Sequence, residues 1–410
     1  MNEVKISVQG LKVGMLVSRL DRPWLGTPFP LQGFQINSNA QLKQLKRLCT
    51  YVFIDVAAGP APNPRFLILG GPETTEQKAA RKEIRKLRKL TYENSVSFQD
   101  ELEIAEQTHD NIRRHMRHVM DDLRSGKDLD LERLQEGVDA MLESIIRNPS
   151  AMLWLKEMKR SDDYTYQHAL GSAIWAAAFG RHLGLEKPDL MTLSLGGMLC
   201  DVGKIRIPRE LLNKVGPLND DEAELVRAHV AHSLEIVGKT DAITKPIIAI
   251  VATHHERHDG SGYPNGLAGN AIPIFGRIAG IVDSFDAMTS ERPYAIEKAP
   301  HEAVDELYQQ RDAAFQGELV EQFIQTCGIY PTGSMVELTD GSVAVVVGIS
   351  SLKRLRPRLM LLLGPDKAPL EDFRDLDLNV TEHDSAGNAL NIKTSLPRGA
   401  YGIDPDELFI

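Results

Sequence analysis

The stretch His254-His255-Glu256-Arg257-His258-Asp259-Gly260-Ser261-Gly262-Tyr263-Pro264 constrains this chain more than any other. It places three imidazoles and two carboxylates in eleven residues that run straight into a glycine-rich turn. The histidine pair closes the apolar run Ile247-Ile248-Ala249-Ile250-Val251-Ala252-Thr253, which Pro246 opens as a helix. Two neutral ring nitrogens at the mouth of a packed helix are suited to hold a metal. A polar helix end facing water does not require candidate ligands to cluster in this way.

The surroundings repeat the signal. From about residue 147 to 328 the pattern reads as helix after helix, with no parallel-sheet alternation, so this region is expected to be all-α. Seven of the twelve histidines fall between His168 and His258, an enrichment that a buried metal site needs. His168 opens an apolar segment from Ala169 to Phe179, which turns its ring inward. Asp201 ends the apolar helix Leu190 to Cys200, and Lys204 follows three residues later. A carboxylate there can bridge two cations while the lysine holds a phosphate. Asn219-Asp220-Asp221-Glu222 caps a helix expected to run through Val237. His229 and His232 share a face of it, so at most one is a ligand. Asp283 and Asp286 repeat the spacing on an apolar helix, where two acids are costly unless something cationic pairs with them.

A chain of 410 residues, 42% hydrophobic and 25% charged, is expected to form two or three globular units. Its formal net charge of -10 and pI near 5.7 argue against non-specific binding to nucleic acid or an anionic membrane. Cys49, Cys200 and Cys327 form no disulfide framework and fit a reducing cytoplasm. Neither an apolar leader nor a run near the roughly 20 apolar residues of a membrane span is present, so a soluble protein without membrane insertion is expected.

Four segments follow from the changes of pattern. Residues 1–72 alternate in short runs cut by Gly and Pro, with one helix near Gln41 to Leu48, and read as a small, mostly β regulatory module. Residues 73–146 read as a helical connector. Its basic residues Lys78, Arg81, Lys82, Arg85, Lys86, Arg88 and Lys89 lack interleaved aromatics and read as a solvated face. Leu102, Ala105, His109, Ile112, Met116, Val119 and Leu123 form a short seam. It packs either inside the chain or, as a homodimer contact, against a second copy. Residues 147–330 form the helical domain, and residues 331–410 carry strands at Val336 to Leu338, Val343 to Val347 and Leu359 to Leu363 as a small β appendage.

Asp201-Val202-Gly203-Lys204, Pro208, His229, His254-His255-Glu256-Arg257, Asp259-Gly260-Ser261-Gly262-Tyr263-Pro264 and Asp283 through Arg292-Pro293-Tyr294 resemble the HD-GYP phosphodiesterases in order and spacing. The first seventy residues resemble the small N-terminal module that precedes some members. The resemblance implies a multidomain, mainly α protein whose helical metal-binding bundle hydrolyses cyclic di-GMP by a metal-activated water, with diguanylate cyclase-type proteins among its signalling partners. Carried over, it makes His168, Asp201 and Asp283 ligands of one divalent ion and His229, His254 and His255 ligands of a second, bridged by Asp201. Asp201 and Lys204 are then the catalytic pair. Lys204 and Arg292 contact the phosphate, and the Gly262-Tyr263-Pro264 turn shapes the guanine-binding face.

Three positions depart from the family pattern. Cys200 stands where the family has the histidine of its His-Asp pair, and is expected to bind the first metal as a thiolate, favouring iron, with zinc or manganese as the other ions considered. Tyr164 replaces the carboxylate of three-metal members, which leaves two metals. Ala295 follows the Arg-Pro-Tyr where many members have a basic residue. The leading expectation is a metal-dependent phosphodiesterase. The alternatives are a catalytically weakened cyclic di-GMP receptor or interaction module, and a phosphohydrolase of ordinary nucleotides, which the Gly-Tyr-Pro turn disfavours.

Overall fold

The computed structural model describes residues 3–22, 27–29, 33–55, 60, 62–66, 75–159, 164–290, 297–348 and 356–403. Two compact units divide between Ala80 and Arg81. The expected boundary at residue 72 lies outside the described residues, as do Arg292, Pro293, Tyr294 and Ala295.

The first unit is a four-stranded antiparallel sheet in the order Glu3–Ser7, Tyr51–Asp55, Leu16–Leu20, Phe34–Gln35. Val52 and Ile54 point into its core while Tyr51 and Phe53 stay half-exposed, the period of two that a one-sided sheet demands. Helix Asn39–Leu48 begins where the Ser38 hydroxyl accepts from the Gln41 amide, and its Leu45 closes the core with Ile6, Val17 and Ile36.

In the second unit, helix Tyr164–Leu183 is buried on nearly every face, because Ala, Leu, Ile, Trp and Phe surround its axis. Trp175 meets Phe285 edge-on at 5.1 Å, and Phe323 joins both rings, tying this helix to Ile274–Met288 and Gly317–Cys327. Lys187–Leu199 packs beside it after a Pro188 start.

The connector seam lies on helix Phe98–Arg124. Ala105, His109, Ile112, Met116, Val119 and Met120 are buried there against Leu131–Arg147 and Pro149–Met158. Of the two alternatives for the seam, packing inside the chain is the one seen here, with Ile112 0% exposed. Glu101, also fully buried, holds Arg147 through two hydrogen bonds of 2.7 Å and locks the first of these helices to the second.

A correction concerns the single helix expected from residue 219 to 237. Its start is as read, a reciprocal cap between Asn219 and Glu222, but the structure has two helices, Asp220–Arg227 and His229–Gly238. At the junction the Val226 carbonyl accepts from the His229 ring, so the chain restarts with that imidazole at its first residue.

The C-terminal strands form an antiparallel sheet in the order Pro369–Asp377, Arg358–Leu363, Val343–Gly348, Met335–Leu338, Ile392–Leu396. The first and last were not apparent in the sequence. Polar residues fill them because both are edge strands.

Candidate metal centre

Five chain segments meet at the candidate site. Helix Tyr164–Leu183 brings His168, the turn after Lys187–Leu199 brings Asp201, His229–Gly238 brings His229, and Ile274–Met288 brings Asp283. His254 and His255 follow the end of Lys245–Thr253. Ligand atoms of Asp201, His229, His254 and His255 lie within 4.8 Å of one another, and so do those of His168, Asp201 and Asp283. Asp201 belongs to both groups and faces each with a different oxygen. Oδ1 lies 3.1 Å from His229 Nε2 and 3.9 Å from His254 Nε2, whereas Oδ2 lies 3.3 Å from His168 Nε2 and also accepts from the Lys204 ammonium. Asp283 Oδ1 is 3.0 Å from the same His168 nitrogen, and its Oδ2 is 4.0 Å from His255 Nδ1.

The ring orientations have a common cause. His229 Nδ1 donates to the Val226 carbonyl at 2.6 Å, His254 Nδ1 to Val251 at 2.9 Å, and His168 Nδ1 to the Asp286 carboxylate at 2.7 Å. Each bond fixes the ring's orientation and turns Nε2 inward, the arrangement that metal-ligating histidines adopt; His168 Nε2 lies 3.0 Å from Asp283 Oδ1, within hydrogen-bond reach. Asp201 Oδ1, His229 Nε2 and His254 Nε2 are buried without a well-aligned hydrogen bond although they lie close together. Buried polar atoms converging on a common point without satisfying one another fit a cation between them.

The electrostatics point the same way. Burial pushes His254 down to about 4, and burial with the neighbouring His254 drives His255 well below its ordinary value, so both rings are neutral donors at neutral pH. Burial raises Asp201, but Lys204, His168 and His229 outweigh it and hold the carboxyl well below the usual range. Asp283 is likewise lowered, His168 and His255 overcoming its burial.

Cys200, expected as a thiolate ligand, is buried beside Asp201. The structure leaves it out of both ligand groups, and its thiol donates to the Gly197 carbonyl at 3.2 Å on its own helix. Burial first, then the charges of Asp201 and Asp283, raise its pKa well above the ordinary value. His232 faces away and stays half-exposed, so one histidine of that pair enters the site.

The turn after His254-His255 folds back over the site. Glu256 is buried and accepts from the Asn265 and Leu267 amides at 2.8 and 2.9 Å, so its carboxylate anchors the loop. A Cβ on Gly262 would sit 2.5 Å from the His255 carbonyl and closer still to the Arg257 amide, so only glycine fits. The Tyr263 ring stacks on His255 at 4.7 Å, and the exposed Arg227 guanidinium lies 5.4 Å from the Tyr263 ring centre. Pro264 follows through a cis peptide.

Three residues escaped the sequence reading as parts of the site: Lys156, whose ammonium is 2.9 Å from Asp286 Oδ1; Asp286 itself as the partner of His168; and Arg227. The cost of two acids on one apolar helix was the available signal for Asp286. Lys156 and Arg227 gave none, because a single basic residue on a helix carries no pattern that marks which group it will meet in the fold.

The chain matches the family described as HD domain over residues 144–319 and the domain of unknown function DUF3391 over residues 3–134. It is 30% identical to a cyclic di-GMP phosphodiesterase of Pseudomonas aeruginosa over 369 residues, 89% of this chain and 87% of that one. A further similarity is to the cyclic di-GMP phosphodiesterase response regulator RpfG of Xanthomonas campestris, 36% identical over 39% of this chain and 44% of the relative. A cyclic di-GMP phosphodiesterase of Thermotoga maritima is 34% identical over 40% of this chain and 45% of its own length. No helix among the described residues is long and apolar enough to cross a membrane.

Proposed function

The chain belongs to the HD-GYP family of cyclic di-GMP phosphodiesterases, and on that premise we propose that it hydrolyses cyclic di-GMP in a metal-dependent reaction at the centre built around Asp201. The observation that carries this reading is the division of Asp201: one oxygen lies beside His229 and His254, in the group that His255 completes, and the other faces His168 beside Asp283. That division fits a bridging carboxylate, with His168, Asp201 and Asp283 holding one divalent ion and His229, His254 and His255 the second. When bound, the two ions would supply charge to the phosphodiester and a water of near-neutral pKa.

The chain's own residues do the rest. Lys204 holds the Asp201 carboxylate in place and, being slightly exposed, offers its ammonium to a phosphate oxygen. His229 and His254 donate from Nδ1 to backbone carbonyls, so their Nε2 atoms are the ones turned inward. Tyr263, fixed by Gly262 and stacked on His255, gives a flat face for a purine, and Arg227 places a cation beside it. Hydrolysis breaks one P–O ester bond, with the water oxygen joining phosphorus and its proton ending on the leaving ribose oxygen.

With Cys200 turned away, the donors are imidazole and carboxylate alone, a set that suits iron, manganese or zinc. The preference for iron that a thiolate would bring loses its support. The same observation supports a second reading, a receptor with weak turnover, because the first ion keeps only three protein donors. Metal analysis of anaerobically purified protein, paired with a cyclic di-GMP turnover assay, separates the two. The expected result is about two ions per chain and hydrolysis that a chelator abolishes and added iron or manganese restores. Tight nucleotide binding without turnover in either metal selects the receptor, and hydrolysis that survives metal removal overturns the metal reading.

A further inference from the structure

Lys156 is a buried lysine, 4% exposed, on helix Pro149–Met158, and the hydrolytic chemistry described above makes no use of it. Burying an ammonium is costly unless it is closely paired. Its Nζ lies 2.9 Å from Asp286 Oδ1 and 2.7 Å from Glu157 Oε1. Asp286, fully buried, uses its other oxygen to accept from His168 Nδ1 at 2.7 Å. The Asp286 carboxylate also lies against the backbone of the next helix, where a Cβ on Gly171 would come within 2.2 Å of Oδ1. Three helices therefore meet in one line: Lys156 on the first, Asp286 on Ile274–Met288, and His168 on Tyr164–Leu183.

We infer that Lys156 is a positioning residue for the first metal. It pins Asp286 in the one orientation from which the carboxylate holds His168 Nδ1, and so aims His168 Nε2 at the point shared with Asp201 and Asp283. The Gly171 backbone and the Ser290 hydroxyl, which donates to Asp286 Oδ2 at 3.4 Å, border the carboxylate on its other sides, while Glu157 holds the far side of the ammonium. At the second ion His229 and His254 bond backbone carbonyls instead, so their orientation does not depend on this line. The inference rests on the metal reading proposed above and separates the two ions by what orients their ligands.

The test is a Mn2+ titration of the full-length protein, followed by loss of the free-ion electron paramagnetic resonance signal. Wild-type protein, Lys156→Met and the double variant Lys156→Met/Asp286→Leu are compared, each with a thermal melt. Disturbing what orients a ligating histidine is expected to weaken metal binding roughly 10- to 100-fold. One of the two binding steps should weaken by that factor in both variants while the other is unchanged. The double variant removes the buried charges together, so its stability should recover relative to Lys156→Met while the weakened step does not. If Lys156→Met does not fold, the double variant carries the test. A folded variant that binds both equivalents as tightly as the wild type overturns the positioning role, and recovery of affinity along with stability shows that the ion pair is structural only. A wild-type protein that binds no ion overturns the metal reading and this inference with it.

Discussion

Gly203→Ala tests whether the two halves of the centre depend on a close approach of backbone. Gly203 lies between Asp201 and Lys204, and its amide donates to the Ser233 hydroxyl at 2.8 Å, which in turn donates to the Cys200 carbonyl at 2.8 Å. A Cβ on Gly203 would stand 2.2 Å from the His229 carbonyl, 2.4 Å from the Ser233 amide and 2.8 Å from His232 Cβ. None of these is the end of a flexible side chain. Ordinary carbon contacts need about 3.5 Å, so helix His229–Gly238 must retreat by roughly 1 Å. That retreat carries His229 away from Asp201, from which it is now separated by 3.1 Å. Overpacking of this kind costs about 1–3 kcal/mol, and a melting temperature falls roughly 2–4 °C per kcal/mol in a domain of about 150–250 residues. A 1 Å misplacement of a catalytic group can cost about 100-fold in rate. Gly238→Ala, on the same helix with open space around its Cβ, is the control and should be near neutral. The assays are a thermal melt, metal stoichiometry and turnover. If Gly203→Ala matches the wild type in all three, the contact between these segments has been misread.

Three further outcomes are expected. Ile112→Asp should destabilise the single chain by about 4 kcal/mol or more, since it buries an unpaired charge between helices; a denaturant midpoint equal to that of wild type would show the seam to be open to solvent. Cys200→Ala should keep the full metal content, because the sulfur bonds Gly197 and lies outside both ligand groups; loss of one equivalent by elemental analysis would restore the thiolate as a ligand. Arg227→Ala should raise KM for cyclic di-GMP roughly tenfold with kcat little changed, as removal of a rim cation weakens ground and transition states alike. A drop in kcat at constant KM would instead put Arg227 at the reacting phosphate.

The kinds of residue this protein concentrates, and the helices that carry them, were legible from the chain alone. Apolar periodicity marked the helices around His168, Asp201 and Asp283, and the clustering of imidazoles marked the region between His168 and His258, because both are short-range patterns. The helix start at Asn219 was legible for the same reason, a cap being a matter of four neighbouring residues. Contacts between distant segments were not. Whether the Leu102 to Leu123 seam met this chain or another depended on Leu131–Arg147 folding back over it, which the seam's own pattern does not encode. Cys200 sits beside Asp201 in sequence, yet adjacent residues at a helix end point in different directions, and only the packed structure shows the thiol turned to Gly197. Lys156 and Asp286 lie 130 positions apart and look like unrelated charges until three helices bring the ammonium, the carboxylate and His168 into one line. Low-dielectric burial makes such pairs necessary, and burial is a property of the folded chain.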